Sequence, residues 1–299
     1  MPRLDEHAAL VVLLRSGTRP WQAYAELIEQ AGSTVAALET ERAPPESRLF
    51  PAREDAGPVE LHASLARASA EVASWRAQGM QLVSVLDDDY PPNLRAVHDR
   101  PPLVFVGGQL VRGDARAVAV VGTRKASRNG LDAARAIAAH LVERRYTVVS
   151  GLAAGIDSAA HTAALAAGGR TVAVIGTGLK RSYPPQNAEL QQRIAQECAV
   201  VSQFWPDAPP SRRSFPMRNA VMSGIALATV VVEASHSSGS RMQARLALEH
   251  GRPVFLPEAL LAEDWARELA RRPGTHVFSS PEEITTTVER LTSANALVA

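Results

Sequence analysis

The sequence predicts an α/β fold: a mostly parallel sheet with helices on both faces, preceded by a small all-helical N-terminal domain. Three observations predict it. First, four apolar β-type runs each end in a small glycine-bearing turn: Val118–Gly122 with Thr-Arg-Lys beyond, Thr147–Gly151, Val172–Gly176, and Val230–Ser235 with Ser238-Gly239-Ser240 beyond. Second, from Ala117 onward strand and helix patterns alternate, as parallel sheets require. Third, residues 4–40 carry only helical patterns. In a parallel sheet all such turns lie on the carboxyl edge, where ligands bind. Four of them at one crevice imply a surface shaped for close approach to backbone.

The elements follow in order. Leu4–Leu14 is helical and breaks at Ser16-Gly17-Thr18; Pro20 starts a second helix through Ile28; Gly32-Ser33-Thr34 precedes a third, Val35–Leu38. Residues 41–58, with Pro44, Pro45, Pro51 and Pro58, read as a linker. A helix over Val59–Gln78 stops at Gly79, then come strands at Gln81–Leu86 and Pro101–Gly108 around a turn at Asp87–Pro92. Further helices are expected at Leu131–Arg145, Ile156–Ala167, Ala188–Glu197, Met217–Gly224, Met242–His250, Leu260–Arg271 and Pro281–Leu291, with a late strand at Val254–Leu256. The predicted domains are 1–45 (helical), 46–79 (linker and helix) and 80–291 (the α/β domain), with 292–299 as a tail.

The 299 residues hold a sizeable core in one large or two modest domains. Hydrophobic residues make up 46%, yet no run is long and apolar enough to span a membrane, and the amino terminus lacks a signal-peptide pattern. One cysteine, Cys198, excludes a disulfide framework and a cysteine zinc cluster. These features predict a cytoplasmic protein. Net charge is +1, so any polyanion site must be a local patch. The excess of Arg over Lys suits bidentate phosphate contacts, although GC-rich coding produces the same bias.

The turn Gly122-Thr-Arg-Lys-Ala-Ser127 is neither a dinucleotide fingerprint nor a Walker loop. Its glycine, the hydroxyls of Thr123 and Ser127, the cations Arg124, Lys125 and Arg128, and the following helix N-terminus suit a phosphate. The plain alternative is a polar sheet-to-helix loop. Asp157 and His161, four apart on one helical face, are a structural pair or half of an acid–base or metal site, with no partner cluster visible. Gly176–Asn187 joins a glycine turn to Lys180, Arg181 and Tyr183, with Asn187 capping the next helix. In Gln203–Asn219, arginines 212, 213 and 218 interleave with Phe204, Trp205 and Phe215 on what reads as one exposed loop. Cations beside aromatics hold single-stranded nucleic acid, charge to phosphate and ring to base. Trp205 is equally read as core. Glu233 closes an apolar strand without a partner acid, and no nucleophile elbow or histidine cluster accompanies it, so no catalytic residue is expected.

The order of these segments resembles the DNA processing protein A (DprA/Smf) family over about residues 80–280. The shared pieces are Tyr90-Pro-Pro-Asn-Leu94, Val121-Gly-Thr-Arg124, Ser150-Gly-Leu-Ala-Ala-Gly-Ile-Asp157 with His161, Gly176-Thr-Gly-Leu179 with Tyr183-Pro and Asn187, Phe215-Pro-Met-Arg-Asn219, Val232-Glu-Ala234 with Ser238-Gly-Ser240, and Gly251-Arg-Pro-Val254. The resemblance implies an extended Rossmann-like fold that binds single-stranded DNA, forms homodimers, and helps load the recombinase RecA on incoming DNA in natural transformation, without hydrolysis, cofactor or metal. It implies DNA contacts at Gly122, Thr123, Arg124, Ser150, Gly151, Phe215, Arg218 and Asn219. Ser127, Lys180, Tyr183, Asn187, Ser238, Gly239 and Ser240 complete the expected site.

The chain departs from the family pattern in places. Ala154 and Ala220 stand where arginines are usual, Ser240-Arg-Met-Gln-Ala replaces a more apolar run, and Leu256-Pro-Glu lacks the usual Pro-Gly. Arginines 128, 181, 212 and 213 are the cations available to compensate. Many members carry a C-terminal winged helix; little follows Leu291 here, so that domain is either absent or removed. The N-terminal module weakly resembles a SAM-like or helix-hairpin-helix domain. The rival reading is a nucleotide-binding hydrolase of the phosphoribohydrolase (lysine-decarboxylase-like) type, but its Gly-Gly-x-Gly-Thr loop with nearby acids is absent.

Overall fold

The computed structural model describes residues 5–17, 19–42, 58–235 and 238–296. Most of the predicted linker, and the end of the predicted tail, lie outside the described residues. The chain divides into two units, one of Met1–Tyr90 with Pro101–Phe105, the other of Pro91–Arg100 with Val106–Ala299.

The first unit holds α1 (Glu6–Ser16), α2 (Trp21–Ala31), α3 (Thr34–Arg42), α4 (Pro58–Ala77) and β1 (Met80–Ser84). Asp5 caps α1 through the His7 N–H, and Glu6 in turn accepts from Thr34 N (2.6 Å) and Ser33 Oγ (2.8 Å) at the start of α3. Carboxylates at helix N-termini meet unpaired N–H groups and the positive dipole end. Leu10, Leu13, Tyr24 and Ile28 are fully buried between these helices.

The second unit contains α5 (Pro92–Arg95), β3 (Ala117–Val121), α6 (Arg128–Glu143), β4 (Thr147–Ser150), α7 (Ile156–Ala166), β5 (Thr171–Val174), α8 (Ala188–Glu197), β6 (Ala199–Ser202), α9 (Ser214–Ile225), β7 (Ala228–Val231), α10 (Gly239–Glu249), β8 (Val254–Pro257), α11 (Asp264–Ala270), β9 (Thr275–Phe278) and α12 (Pro281–Ala296). The residues of β2 (Leu103–Gly108) are divided between the units.

Strands β3 to β9 run in the order β6-β5-β4-β3-β7-β8-β9, every pair parallel. Strands β3 to β7 are short, rich in Val and Ala, and wholly buried, as expected of strands covered on both faces. Val118, Val120, Val148 and Val230 pack with Ile137 and Leu141 of α6, Ala160 and Ala164 of α7, and Ile284 and Val288 of α12. A second cluster joins Ala173, Ile175 and Val200 to Ile194 of α8. The fold is therefore the mostly parallel, Rossmann-like α/β architecture that the alternation predicted.

The order fixes where a crevice opens. After β3 the chain moves toward β4, β5 and β6; after β7 it moves the other way, to β8 and β9. β3 and β7 are neighbours in register, Val121 beside Val231, so their carboxyl ends form the switch point where connections diverge.

Several boundaries differ from expectation: α6 begins at Arg128, not Leu131, α10 at Gly239, not Met242, and α12 runs on to Ala296. α9 begins at Ser214, not Met217, so Phe215 and Pro216 sit in its first turn, where a missing N–H costs no helical hydrogen bond. The helix expected over Leu260–Arg271 is a 3₁₀ turn, Glu258–Ala262, followed by α11. The edge strand β9 gave no sequence signal, because half-exposed Thr-His-Val lacks the apolar run of its neighbours.

Candidate nucleic-acid interface

A cleft of about 610 Å³ opens at the β3–β7 switch point. Gly122, Thr123, Arg124 and Lys125 line one side, Glu233, Ser238, Gly239 and Ser240 the other, and Phe215, Arg218 and Asn219 of α9 form its end. Thr123 N donates to Glu233 O (2.7 Å), tying the two loops together. At Gly122 a Cβ would collide with Ile156 and with the Glu233 carbonyl, so only glycine lets the turn pass this close.

The N-terminus of α6 is already filled. Ser127 caps it by accepting from Gly130 N (3.0 Å), while the Glu233 carboxylate accepts from Ser127 N (3.1 Å) and Ser127 Oγ (2.7 Å). An internal carboxylate thus stands at the helix end that the sequence reading offered to a phosphate. The same bonds engage the Glu233 carboxylate with Ser127 across the two loops. The N-terminus of α10 faces the cleft instead, with Ser238 as its cap and the two hydroxyls of Ser238 and Ser240 at 2.6 Å.

Arg218 is the buried cation of the site, 7% exposed. Its Nη1 donates to Val174 O at the end of β5 (3.0 Å), and its Nε has no partner. Among the described residues no carboxylate lies within ion-pair distance of it. The guanidinium lies against Gly151, where any Cβ would displace it. Asp157 lies beneath, its Oδ2 accepting from Gly151 N (3.1 Å) and Ala153 N (3.3 Å). Burial pushes the Asp157 carboxyl up, against the pull of Arg218 and of these N–H donors; burial likewise lowers Arg218. Two groups that sequence spacing did not connect therefore share one buried floor.

An aromatic–cation stack stands at the rim. The Arg124 guanidinium lies 5.3 Å from the Phe215 ring centroid, and Tyr183 lies 5.5 Å away, tilted by 46°. Phe215 is half-buried over Gly176, Tyr183 is 37% exposed, and Arg124 and Lys125 are exposed. Lys125 forms no ion pair among the described residues. Lys125 and Lys180 are the only two lysines in the chain, one on each cation-bearing loop.

Nine of the fifteen expected residues line the cleft; Ser127, Ser150, Gly151, Lys180, Tyr183 and Asn187 do not. Ser150 is fully buried, its Oγ donating to Val120 O (2.6 Å). Lys180 reaches Asp207 Oδ2 at 3.4 Å. Asn187 does not cap α8; its Nδ2 donates to Leu152 O (2.8 Å), pinning its loop to the turn after β4. Nor is 203–219 one exposed loop: Phe204 and Trp205 are half-buried, and backbone bonds from Gly178 N to Ala208 O (2.9 Å) and Lys180 N to Pro206 O (3.0 Å) hold it against the turn after β5. The four glycine turns do not share one crevice equally. Those after β3 and β7 form the cleft, while those after β4 and β5 are covered by Arg218 and Phe215.

Sequence reasoning missed Gln243. It lines the cleft, is 1% exposed, and neither of its side-chain polar atoms has a partner. Its spacing of three from Ser240 on one helix was the available signal. His161 settles as structural: fully buried, its Nδ1 donating to Thr171 Oγ1 (2.7 Å), which donates to Val148 O (2.7 Å).

Glycine turns, a helix N-terminus and exposed cations meet at the switch point of this α/β fold, features that suit an anion. The comparisons narrow that reading. Residues 81–289 match the model of the DNA recombination-mediator protein A family. The chain belongs to that family. It is 42% identical to the DNA processing protein DprA of Streptococcus pneumoniae over 60% of this chain and 63% of that one, and 33% identical to DprA of Bacillus subtilis over 65% and 66%. The match thus spans just under two thirds of these relatives' length. The solved pneumococcal DprA superposes with a TM-score of 0.67 at 30% identity, covering 95% of this chain and 93% of that one. Helicobacter pylori DNA processing protein A, solved in a study of its single-stranded DNA binding mode, gives 0.63 at 25% identity, covering 71% and 96%. Among the described residues no helix is long and apolar enough to cross a membrane.

Burial pushes the His161 imidazole down from 6.5 to about 3. In the unfolded chain it takes a proton below its ordinary value; in the folded chain it does not until much lower pH. Stability is therefore fully present above pH 6.5 and is lost as pH falls toward 3, by at most about 1.4 kcal/mol per pH unit from this group. His161→Asn should flatten that slope in urea-midpoint measurements from pH 7 to 5. An unchanged slope would show that His161 is protonated in the folded state.

Proposed function

We propose that this chain binds single-stranded DNA, with phosphates in the β3–β7 cleft and bases against the Phe215–Tyr183 rim. The observation that carries this reading is the Arg124–Phe215–Tyr183 stack beside a cleft whose exposed cations are unpaired by acids. A mononucleotide needs only the cleft. A ring platform outside it, with a cation over one face, suits a strand that continues past one phosphate. The N-terminus of α10 and the Arg124 and Lys125 side chains supply the phosphate contacts; Arg218 supplies field from below. Ser127, Ser150 and Gly151 support the site through backbone geometry, whereas Lys180 and Asn187 lie along the exit path of the strand.

Family membership and the relative solved for its single-stranded DNA binding support the same reading. On that basis we further propose a cytoplasmic homodimer acting in recombination of incoming DNA during natural transformation, protecting the strand and helping to load RecA, with no catalysis, cofactor or metal needed for DNA binding. The hydrolase alternative is disfavoured because Glu233 is engaged at α6 and Asp157 is buried under Arg218.

Arg124→Ala should weaken binding of any single-stranded oligonucleotide. It should also reduce the slope of log K against log salt by about 0.7. Unchanged affinity and slope would remove Arg124 from the interface. Phe215→Ala should cost about 1–3 kcal/mol in binding, with little change in salt slope. A gel shift comparing single-stranded with duplex oligonucleotides of equal length tests the whole reading: equal affinity for the two would contradict it.

A further inference from the structure

A second constellation lies away from the cleft, where α9 and α10 end. Ligand atoms of His98, Asp99 and His250 lie within 4.8 Å of one another. His250 follows α10, and its Nε2 meets Asp99 Oδ1 at 2.8 Å; its Nδ1 meets Ser223 Oγ of α9 at 2.9 Å. The His98 ring stands edge-on to His250, centroids 5.6 Å apart. Ser223, His250 and Asp99 have the order of a hydrolytic triad. Ser223, however, is 0% exposed, so no substrate carbonyl can reach its hydroxyl.

We propose that His98, Asp99 and His250 form a binding site for one zinc-class divalent cation. Two imidazoles and one carboxylate suit zinc and its neighbours rather than calcium or magnesium, and three protein ligands leave a fourth position for water. With a metal on Nε2, the Ser223 hydroxyl, 2.9 Å from His250 Nδ1, is placed to accept from Nδ1–H, the outer-shell arrangement metal-ligating histidines use. The metal replaces the proton shared by Nε2 and Oδ1, and that proton leaves to solvent. With metal bonds near 2.0–2.1 Å, the 2.8 Å gap must widen by about 0.5 Å, which the half-exposed Asp99 side chain allows. The C-terminal carbonyls of α10 add negative potential at the same spot. The neighbouring cations are occupied: Arg100 Nη1 donates to Val97 O (3.1 Å) and Arg252 Nη2 to Asn93 O (3.0 Å).

The site would join the last turns of the two helices whose first turns line the cleft, Ser214–Ile225 and Gly239–Glu249. It neither requires nor tests the DNA-binding reading. The test is equilibrium dialysis of the untagged full chain, stripped with chelator, against zinc chloride, with elemental analysis and thermal melting. The expected result is one zinc per chain, a higher melting temperature with zinc, and affinity more than about tenfold weaker in His98→Ala. His98 is exposed, so that variant keeps the fold; Asp99→Asn checks the carboxylate. No retained zinc, or retention in His98→Ala equal to the parent chain, would overturn the proposal. A cobalt-loaded chain that lacks the visible absorption of four-coordinate metal would do the same.

Discussion

The arrangement around Arg218 is the constraint on which the candidate site depends. A guanidinium that is 7% exposed has lost its water, a cost of several kcal/mol unless it is compensated. Here compensation is partial: a carbonyl at the end of β5, the field of Asp157 below, and an Nε left without a partner. Gly151 leaves room for the guanidinium, and Asp157 in turn holds the N–H groups of that same turn. Because Arg218 lies one helical turn beyond Phe215, seating the guanidinium also sets the ring over Gly176. An incompletely satisfied buried cation at a cleft floor raises the potential felt by an anion above it.

Glu233 sets the complementary limit. By closing the N-terminus of α6 it leaves the N-terminus of α10 as the helix end that faces the cleft. Both follow from strand order, since the loops after β3 and β7 diverge and their ends stay close through the Thr123–Glu233 backbone bond. A ligand therefore meets one helix dipole and two exposed cations, not two dipoles. In the proposed function this accounts for a strand path that runs from α10 across Arg124 toward the rings at the rim.

Much of this was legible in the sequence. Buried parallel strands advertise themselves as continuous Val and Ala runs, and the glycine turns mark their carboxyl ends. The residues that came out as cleft lining, from Gly122 through Asn219, were those with charge, ring or small side chain on a turn. Other motif residues carried structural duties that no local pattern reveals. Asn93 donates to both Ala115 O and Ile225 O, each at 2.9 Å, and Asn187 holds Leu152 O. The bond that Glu233 makes was hidden because its partner, Ser127, lies 106 residues away. Gln243 was silent because an amphipathic helix hides one polar residue among several.

The chain's two lysines give a direct measurement of where a strand lies. Acetylation with an amine-reactive ester, with and without a saturating oligothymidylate, followed by mass spectrometry, reads both positions at once. Strong protection of Lys125, on the cleft wall beside Arg124, is the expected result. Equal reactivity of Lys125 in the free and strand-bound protein would contradict a strand seated in the β3–β7 cleft.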